Sequence, residues 1–218
     1  MAGQYLGDKP MPPEPVLCAQ LGVSRTVLRE VVKALVAKGL VSTGPKVGTR
    51  VLSEEVWNWM DPDVLTWKLR VGLSPDFLRT LSELRRVVEP SCVRLATERA
   101  TPAQLVAIEA AFVRMQEAVA SGVDDLSDDF KFHHLLLQAS GNRLLGQMSI
   151  LLRALLRTSH QLLGRRPAVP NSTLPWHSAL LRAVLARDGA GAQQAMLELI
   201  DAVEADLAHL LRSRPAIA

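Results

Sequence analysis

Apolar residues recur through most of the chain at the three- and four-residue spacing of helices, and this pattern predicts its main elements. After Gly72 the helical period continues almost to the C-terminus, interrupted only by short stretches rich in glycine, proline or serine. These breaks separate six predicted helices, at 75–97, 102–120, 126–140, 142–164, 174–188 and 191–212. Six helices of these lengths predict an antiparallel bundle with a central cavity.

The N-terminal segment has a different pattern, in which two helices precede two short strands. Pro12–Glu14 is typical of a helix start because proline is tolerated in the first turn, and this helix should end near Gly22. Ser24 is a natural N-cap for a second helix that ends at Gly39. Gly44–Gly48 then predicts the tip of a β-hairpin. The apolar positions of the second helix predict a buried stripe of Val27, Leu28, Val31, Val32, Leu35 and Val36.

Positive charge is concentrated in this segment. Residues 1–52 contain seven Lys or Arg and three Asp or Glu, a balance of +4, whereas the whole chain carries +3 and the remainder therefore −1. A basic head on a nearly neutral body is typical of proteins that contact nucleic-acid phosphates, although a solvated basic face would give the same count. Together with the order of elements, the charge predicts a winged helix-turn-helix in which the second helix enters the major groove of DNA.

This head resembles the winged helix-turn-helix of the GntR family of bacterial transcription regulators. The resemblance is carried by the sequence LGVSRTVLREVVKALVAKGLV and the following GTRV. It implies that base and phosphate contacts come from the start of the second helix and that the wing enters the minor groove. The implied DNA-binding residues are Ser24, Arg25, Thr26, Arg29, Lys46 and Gly48.

The head departs from the family pattern at two places. Pro15 stands where the first helix often carries an arginine, so one DNA contact is missing. Family members also carry a whole helix ahead of the segment that corresponds to Gly3–Tyr5. The sequence therefore suggests that either the start is misassigned or the head is incomplete.

The rest of the chain resembles the FadR subfamily of the same family. Residues 54–73 form a connector that holds three of the four tryptophans, typical of an anchor that pins a linker to the body, and its string WNWMDPDVLTW resembles a sugar-acid-responsive branch. The strings ELRRVVEP, DFKFHHLLLQASGN and HSALLRAVLARD resemble the FCD ligand domain in order and spacing. We therefore predict a DNA-binding domain at 1–53 and an effector-binding and dimerisation domain at 74–218.

Three side chains of the predicted bundle have metal-binding chemistry. Asp129 and His133 lie four residues apart on one helical face, and His177 lies near the start of another helix. The spacing alone indicates little, because such Asp/His pairs are more often surface pairs. The FCD resemblance implies that the three bind a divalent metal, zinc being the first choice and nickel or a similar ion the alternative. The family's usual further histidine is replaced by Leu199, which predicts lower metal affinity and open positions for a ligand.

Two further residues are candidates for binding an effector. The resemblance implies that Arg85 faces the cavity, where its guanidinium would bind a carboxylate bidentately; the alternative is an ion pair with Glu89 at i+4. Thr173 could contact a sugar hydroxyl, or it could simply cap the helix that follows.

Together these features predict a mainly α-helical repressor rather than an enzyme. It would bind a palindromic double-stranded DNA operator as a homodimer and leave it when a sugar acid such as D-galactonate binds at the metal site. The alternative is a regulator that senses another carboxylate, such as gluconate or a 2-keto-3-deoxy acid, without metal. A metallohydrolase is disfavoured because no HExxH-like base and no GxSxG nucleophile motif are present.

The location of the protein is predicted from segments that the sequence lacks. Neither a signal peptide nor a long apolar run is present, so we expect a cytoplasmic protein that does not enter a membrane. Cys18 and Cys92 fall in different predicted domains, and we expect both to be reduced.

Overall fold

The computed structural model describes residues 10–45, 47–71, 74–121, 126–149 and 173–213. The chain divides into two compact units, with the boundary between residues 72 and 73. Cys18 and Cys92 are both free thiols. Among the described helices, none is both long enough and apolar enough to cross a membrane.

The first unit contains two helices, a hairpin and a third helix. Gly22 ends the first helix with φ of +66°, a left-handed conformation that glycine adopts without strain. Ser24 caps the second helix, its Oγ accepting a hydrogen bond from the Val27 amide at 3.3 Å, as predicted. Met11 N donates to Thr49 O at 2.8 Å, so the segment before the first helix extends the hairpin. The elements are α1 (Glu14–Leu21), α2 (Arg25–Ala37), β1 (Val41–Gly44), β2 (Gly48–Val51), a 3-10 turn (Glu54–Val56) and α3 (Pro62–Val71).

The predicted buried stripe of α2 is wrong in part. Leu28 is buried at 4% exposure, and Val32 and Leu35 are half-buried. The predicted stripe was too wide, because Leu28, Val32 and Leu35 share one face, whereas each exposed member is adjacent in sequence to one of them and therefore lies about 100° round the helix from it. The members that stay 41–49% exposed are Val27, Val31 and Val36.

Hydrogen bonds brace the connector internally and tie it to the rest of the first unit. The indole Nε1 of Trp57 donates to Leu52 O and that of Trp59 donates to Glu54 O, both at 2.9 Å. Lys38, at the end of α2, is bonded to the start of α3 through Asp61 at 2.8 Å. These contacts hold the connector against the end of α2 and against Leu52, the residue that follows β2.

The second unit is a helical bundle with an apolar core. Ser74 caps its first helix, and Thr101 and Gln104 form a reciprocal capping box at the start of its second. The last helix packs against the first and against the helix before it, and the third helix contacts both the first and the second. Fully buried core side chains include Phe132, Leu180 and Leu199. The helices are α4 (Pro75–Arg99), α5 (Pro102–Ala120), α6 (Leu126–Ala139), α7 (Arg143–Gln147), α8 (Leu174–Leu185) and α9 (Gly189–Ser213).

One predicted helix is interrupted. The sequence predicted a continuous helix over 142–164, but α7 ends at Gln147 and Met148 lies in a turn. Ser149 is helical again, and residues 150–172 lie outside the described part of the chain. Two side chains donate hydrogen bonds to the Gly146 carbonyl, next to the interruption. Gly146 O accepts from Ser149 Oγ at 2.8 Å and from Gln138 Nε2 at 3.3 Å. Side-chain hydrogen bonds of this kind compete with the backbone hydrogen bonds of a helix. They do not change the spacing of apolar residues, so the sequence pattern does not reveal them.

Candidate metal centre and DNA-binding surface

The three predicted metal-ligating side chains converge in the second unit. Asp129 and His133 lie one turn apart on α6, and His177 lies in the first turn of α8. Asp129 Oδ1 is 3.0 Å from His177 Nε2 and 3.7 Å from His133 Nε2. The two Nε2 atoms are 3.3 Å apart. One ligand atom from each residue therefore lies within 4.8 Å of the others, close enough to share a single ion.

The surroundings of the two imidazoles direct both Nε2 atoms into this cluster. His177 Nδ1 lies 2.9 Å from Thr173 O, and because a carbonyl oxygen can only accept, this nitrogen must carry the proton. His133 Nδ1 lies 3.0 Å from Glu89 Oε2, at ion-pair distance but out of line for a hydrogen bond, and the negative charge favours a proton there. In the neutral rings the Nε2 atoms are then free to bind a cation.

The cluster is short of positive charge at its centre. Asp129 Oδ1 is buried, and none of the described groups is aligned to donate a hydrogen bond to it. It faces two nitrogens that are themselves acceptors in the tautomers just described. Three converging acceptors are unfavourable unless a cation or additional protons lie between them. One carboxylate and two imidazoles form a donor set that suits zinc or nickel and leaves positions for a ligand.

The carboxylates of the site are ionised at neutral pH. Burial by itself raises the pKa of the Asp129 carboxyl, but His177 and His133 in their protonated forms, together with Arg85, outweigh it and lower the pKa to about 2. The same balance holds for Glu89, where burial is outweighed by Arg85 and His133 and the pKa is again about 2. Asp129 retains 18% of its side-chain exposure, so the cluster is not sealed from solvent.

Arg85 is buried beside the cluster and paired with Glu89. Its side chain is only 4% exposed, and its Nε donates to Glu89 Oε1. A second, longer contact joins Nη2 to Glu89 Oε2 at 3.4 Å. Burial by itself lowers the pKa of the Arg85 guanidinium, but the neighbouring carboxylates, Glu89 foremost, outweigh burial and raise it. The ion pair considered from the sequence is therefore present, and Nη1 has no hydrogen-bond partner within the described ranges.

The structure also shows the surroundings of Thr173 and Leu199, the two remaining positions considered from the sequence. The Thr173 side chain forms no capping hydrogen bond with the described first turn of α8, so the capping role considered from the sequence is not supported. Its carbonyl accepts from both the backbone N of His177, at 3.1 Å, and the ring Nδ1. Leu199, which replaces the family's further histidine, is fully buried in the apolar core.

Glu89 is the member of the site that the sequence did not reveal. The i+4 spacing from Arg85 identified one of its contacts, but its approach to His133 depends on how α4 packs against α6. The available signal was the position of Glu89, which has helical spacing from the apolar Leu81, Val93 and Ala96, since a glutamate on such a face is almost never buried without a partner.

The predicted DNA-binding surface is formed by the start of α2 and by the wing. Arg25 and Thr26 are exposed in the first turn of α2. Arg29 is 64% exposed and forms a bidentate ion pair with Glu14 of α1, through Nε at 2.8 Å and Nη2 at 3.2 Å. The hydrogen bond from Arg29 lowers the pKa of Glu14. The pair joins the two helices of the motif and sets the direction of the Arg29 guanidinium.

The wing presents its backbone to solvent at Gly48. This residue has φ of +68°, which favours glycine, and no described atom lies within 4 Å of a Cβ built on it. A close approach of the backbone to another molecule is therefore sterically open at this point. Lys46, the other predicted wing residue, lies outside the described residues.

Comparison with protein families assigns both units. The family of bacterial regulatory proteins called gntR matches residues 1–51, and the FCD domain matches residues 80–202. The two matches fall on either side of the boundary between the compact units.

Individual proteins extend this similarity over nearly the whole chain. The galactonate operon transcriptional repressor of Escherichia coli (strain K12) is 36% identical over 203 residues, covering 91% of this chain and 87% of that protein. The HTH-type transcriptional repressor NanR of Cronobacter sakazakii (strain ATCC BAA-894) is 29% identical over 214 residues, covering 92% and 77%. The solved structure of E. coli McbR/YncC superposes with a TM-score of 0.58 at 21% identity, covering 94% and 89%. At this identity, the similarity to McbR/YncC shows only that the two folds are alike.

Proposed function

Because the chain belongs to the GntR family of bacterial regulatory proteins and carries an FCD domain, we propose that it represses a catabolic operon and that a sugar acid releases it from the operator. Its relatives are transcription regulators rather than enzymes, and it is a DNA-binding regulator like them. The observation that carries the sensory part of the proposal is the convergence of Asp129, His133 and His177 on a point that lacks positive charge.

DNA is bound by the first unit in this proposal. Arg25 and Thr26 meet base edges and phosphates from the exposed start of α2, and Arg29 is aimed by Glu14. Ser24 holds the end of the helix through its capping bond, while Gly48 and Lys46 bring the wing to the minor groove. Two copies of the chain would place two such heads on a palindromic operator, since the symmetry of a dimer matches that of its site.

The effector is bound by the second unit. A divalent ion held by Asp129, His133 and His177 would supply a fixed positive charge with open positions for carboxylate and hydroxyl oxygens. The unused Nη1 of Arg85 offers a donor for the same carboxylate, and the Thr173 hydroxyl, which does not cap α8, offers a partner for a sugar hydroxyl. The similarity to a repressor of a galactonate operon supports a sugar acid such as D-galactonate as the ligand.

Release of DNA requires that the effector distinguish two states of the protein. A ligand shifts an equilibrium only by the difference between its affinities for the two forms. The effector must therefore bind the form that does not hold the operator more tightly than the form that does, and operator DNA must weaken effector binding by the same factor.

A second candidate is a carboxylate sensor that works without metal, such as a regulator that responds to gluconate or a 2-keto-3-deoxy acid. The buried guanidinium of Arg85 favours it, because a fixed cation at 4% exposure could bind a carboxylate by itself. In that case the acceptors of the cluster would be satisfied by protons rather than by an ion.

A thermal-shift panel of sugar acids with and without a chelator tests the proposal. Galactonate, gluconate and a 2-keto-3-deoxy acid are added to the protein with Zn²⁺ and, in parallel, with excess EDTA. A shift that one acid produces only without chelator supports the metal-assisted sensor and identifies the ligand. A shift that the chelator leaves unchanged supports the metal-free alternative, and no shift with any acid contradicts a sugar-acid effector.

A further inference from the structure

We propose that Glu89 is a positioning residue that couples the metal to the effector, because one buried carboxylate serves both the ligand side chain His133 and the carboxylate-binding Arg85. The inference rests on the proposed function of the Asp129–His133–His177 site. It adds to that site a residue that contacts neither the ion nor the effector.

The geometry places Glu89 between the two groups. Its Oε1 accepts from Arg85 Nε, and its Oε2 lies 3.4 Å from Arg85 Nη2. The same Oε2 lies 3.0 Å from His133 Nδ1, on the opposite side of the ring from the cluster. Glu89 is fully buried, so the contacts are not weakened by bulk water.

A simple structural ion pair does not account for this arrangement. Burying a carboxylate is costly, and a pair such as Arg85–Glu89 is often replaceable by apolar residues of similar volume. An ion pair alone would not require the further contact that Glu89 makes with Nδ1 of His133, a predicted metal ligand. The contact is not aligned as a hydrogen bond, but a carboxylate charge this close to Nδ1 favours the proton there and so leaves Nε2 as the nitrogen that can bind a metal.

Sharing one oxygen makes the two binding events depend on each other. A cation at His133 Nε2 draws electron density from the ring, so its Nδ1–H is attracted more strongly to Glu89 Oε2. Oε2 then balances Arg85 less completely, which leaves the guanidinium freer to attract an effector carboxylate. By linkage, a carboxylate bound at Arg85 must strengthen metal binding by the same factor. We expect this factor to be about 5-fold or more, the lower end of typical coupling between sites.

The first test compares Zn²⁺ affinity in full-length variants by competition with a chromophoric chelator. Glu89→Gln should weaken Zn²⁺ binding by about 10- to 100-fold, the usual loss when the group behind a metal ligand is changed. Glu204→Gln is the matched control, because this carboxylate also acts on Arg85 but hydrogen-bonds Ser82 rather than His133. It should leave Zn²⁺ affinity unchanged.

A second pair of variants keeps the test valid if Glu89→Gln fails to fold with Arg85 unpaired. Arg85→Met removes the cation and leaves Glu89 behind His133, whereas Arg85→Met with Glu89→Gln removes both charges. The double variant should bind Zn²⁺ about 10-fold or more weakly than Arg85→Met. Equal affinities of the two would overturn the role of Glu89.

The tautomer of His133 gives a readout that a merely structural role would not change. Nitrogen-15 NMR of the imidazoles should show the Nδ1–H form in the wild-type protein and a mixture of tautomers in Glu89→Gln; the same form in both would overturn the proposal. A wild-type protein that binds no Zn²⁺ would overturn the proposed metal site and the coupling with it. Wild-type Zn²⁺ binding that Glu89→Gln leaves unchanged would overturn only the inference about Glu89.

Discussion

The Nε2 atoms of His133 and His177 lie 3.3 Å apart, although the two residues belong to different helices. Each ring has an acceptor near its other nitrogen, Glu89 Oε2 for His133 and Thr173 O for His177. Two imidazoles held in this way present lone pairs to one point, where Asp129 Oδ1 adds a negative charge. The arrangement would stabilise a cation at this point, and groups outside the cluster should then affect its affinity.

Replacing a ligand should remove the metal. We expect Asp129→Asn to weaken Zn²⁺ binding by more than the roughly 10- to 100-fold typical of changes behind a ligand, because it removes the only anionic ligand of the cluster. Isothermal titration with Zn²⁺ measures the change. The control is Asp128→Asn on the same helix, where the carboxylate is ion-paired with Arg114 at 2.8 Å instead of facing the cluster. Equal losses in both variants would contradict the assignment of Asp129.

The start of α2 should carry operator affinity. Arg25→Ala removes an exposed guanidinium from the first turn, and the loss of a base contact typically costs about 1–3 kcal/mol, or about 5- to 150-fold in affinity. Fluorescence anisotropy with operator DNA at physiological salt measures it, while effector binding should remain intact. Lys33→Ala serves as a control, since Lys33 is ion-paired with Glu30 further along the same helix. Operator affinity that survives Arg25→Ala would show that the contacts lie elsewhere.

The ion pair between Glu14 and Arg29 should serve specificity more than affinity. Glu14→Gln frees the guanidinium from its bidentate partner and removes a negative charge that would face phosphates. We expect binding to random DNA to strengthen and the ratio of specific to non-specific affinity to fall. Competition titrations at two salt concentrations measure both quantities.

Glu30→Gln is the appropriate comparison for that prediction. It removes the same charge from α2, where Glu30 is paired with Lys33 and not with Arg29. If both variants change the specificity ratio equally, the effect is one of charge alone, and Glu14 does not orient Arg29.

Acid should destabilise the second unit through its buried carboxylates. The pKa of Glu89 is lowered from 4.5 to about 2, so folding favours the ionised form, and the stability this contributes is complete above about pH 4.5. It is lost progressively as the pH falls towards 2. Urea unfolding in excess EDTA between pH 6 and pH 2 measures the dependence. The variant with Arg85→Met and Glu89→Gln should show a shallower loss over this range, and an identical slope would contradict the assignment.

Local features of the sequence were enough for most helix boundaries in the bundle. The predicted helix at 102–120 coincides with α5, because Thr101, Pro102 and Gln104 form its start within one turn. The cap at Ser24 was equally local. Caps and glycine turns act on neighbouring residues, so their effect can be predicted without knowing the fold.

Features that depend on packing could not be predicted in this way. The face of α2 that carries Val27 was placed in the core because an apolar stripe does not show which part of it meets another element. At the end of α7 the Gly146 carbonyl accepts a hydrogen bond from Gln138, a residue of α6. Periodicity describes one helix at a time and contains no information about such contacts.

The sequence by itself determined the order of elements, the basic head and the residue types able to bind a metal. It identified Asp129, His133 and His177 as candidates, but the resemblance to FCD domains, and not their spacing, assigned them to one metal site. Only the tertiary structure brought α6 and α8 close enough for the three ligand atoms to meet, and only the packing of α4 on α6 placed Glu89 behind His133. The physical reason is that capping and helical periodicity are interactions along the chain, whereas a buried charge cluster is defined by distances between helices that the sequence does not specify.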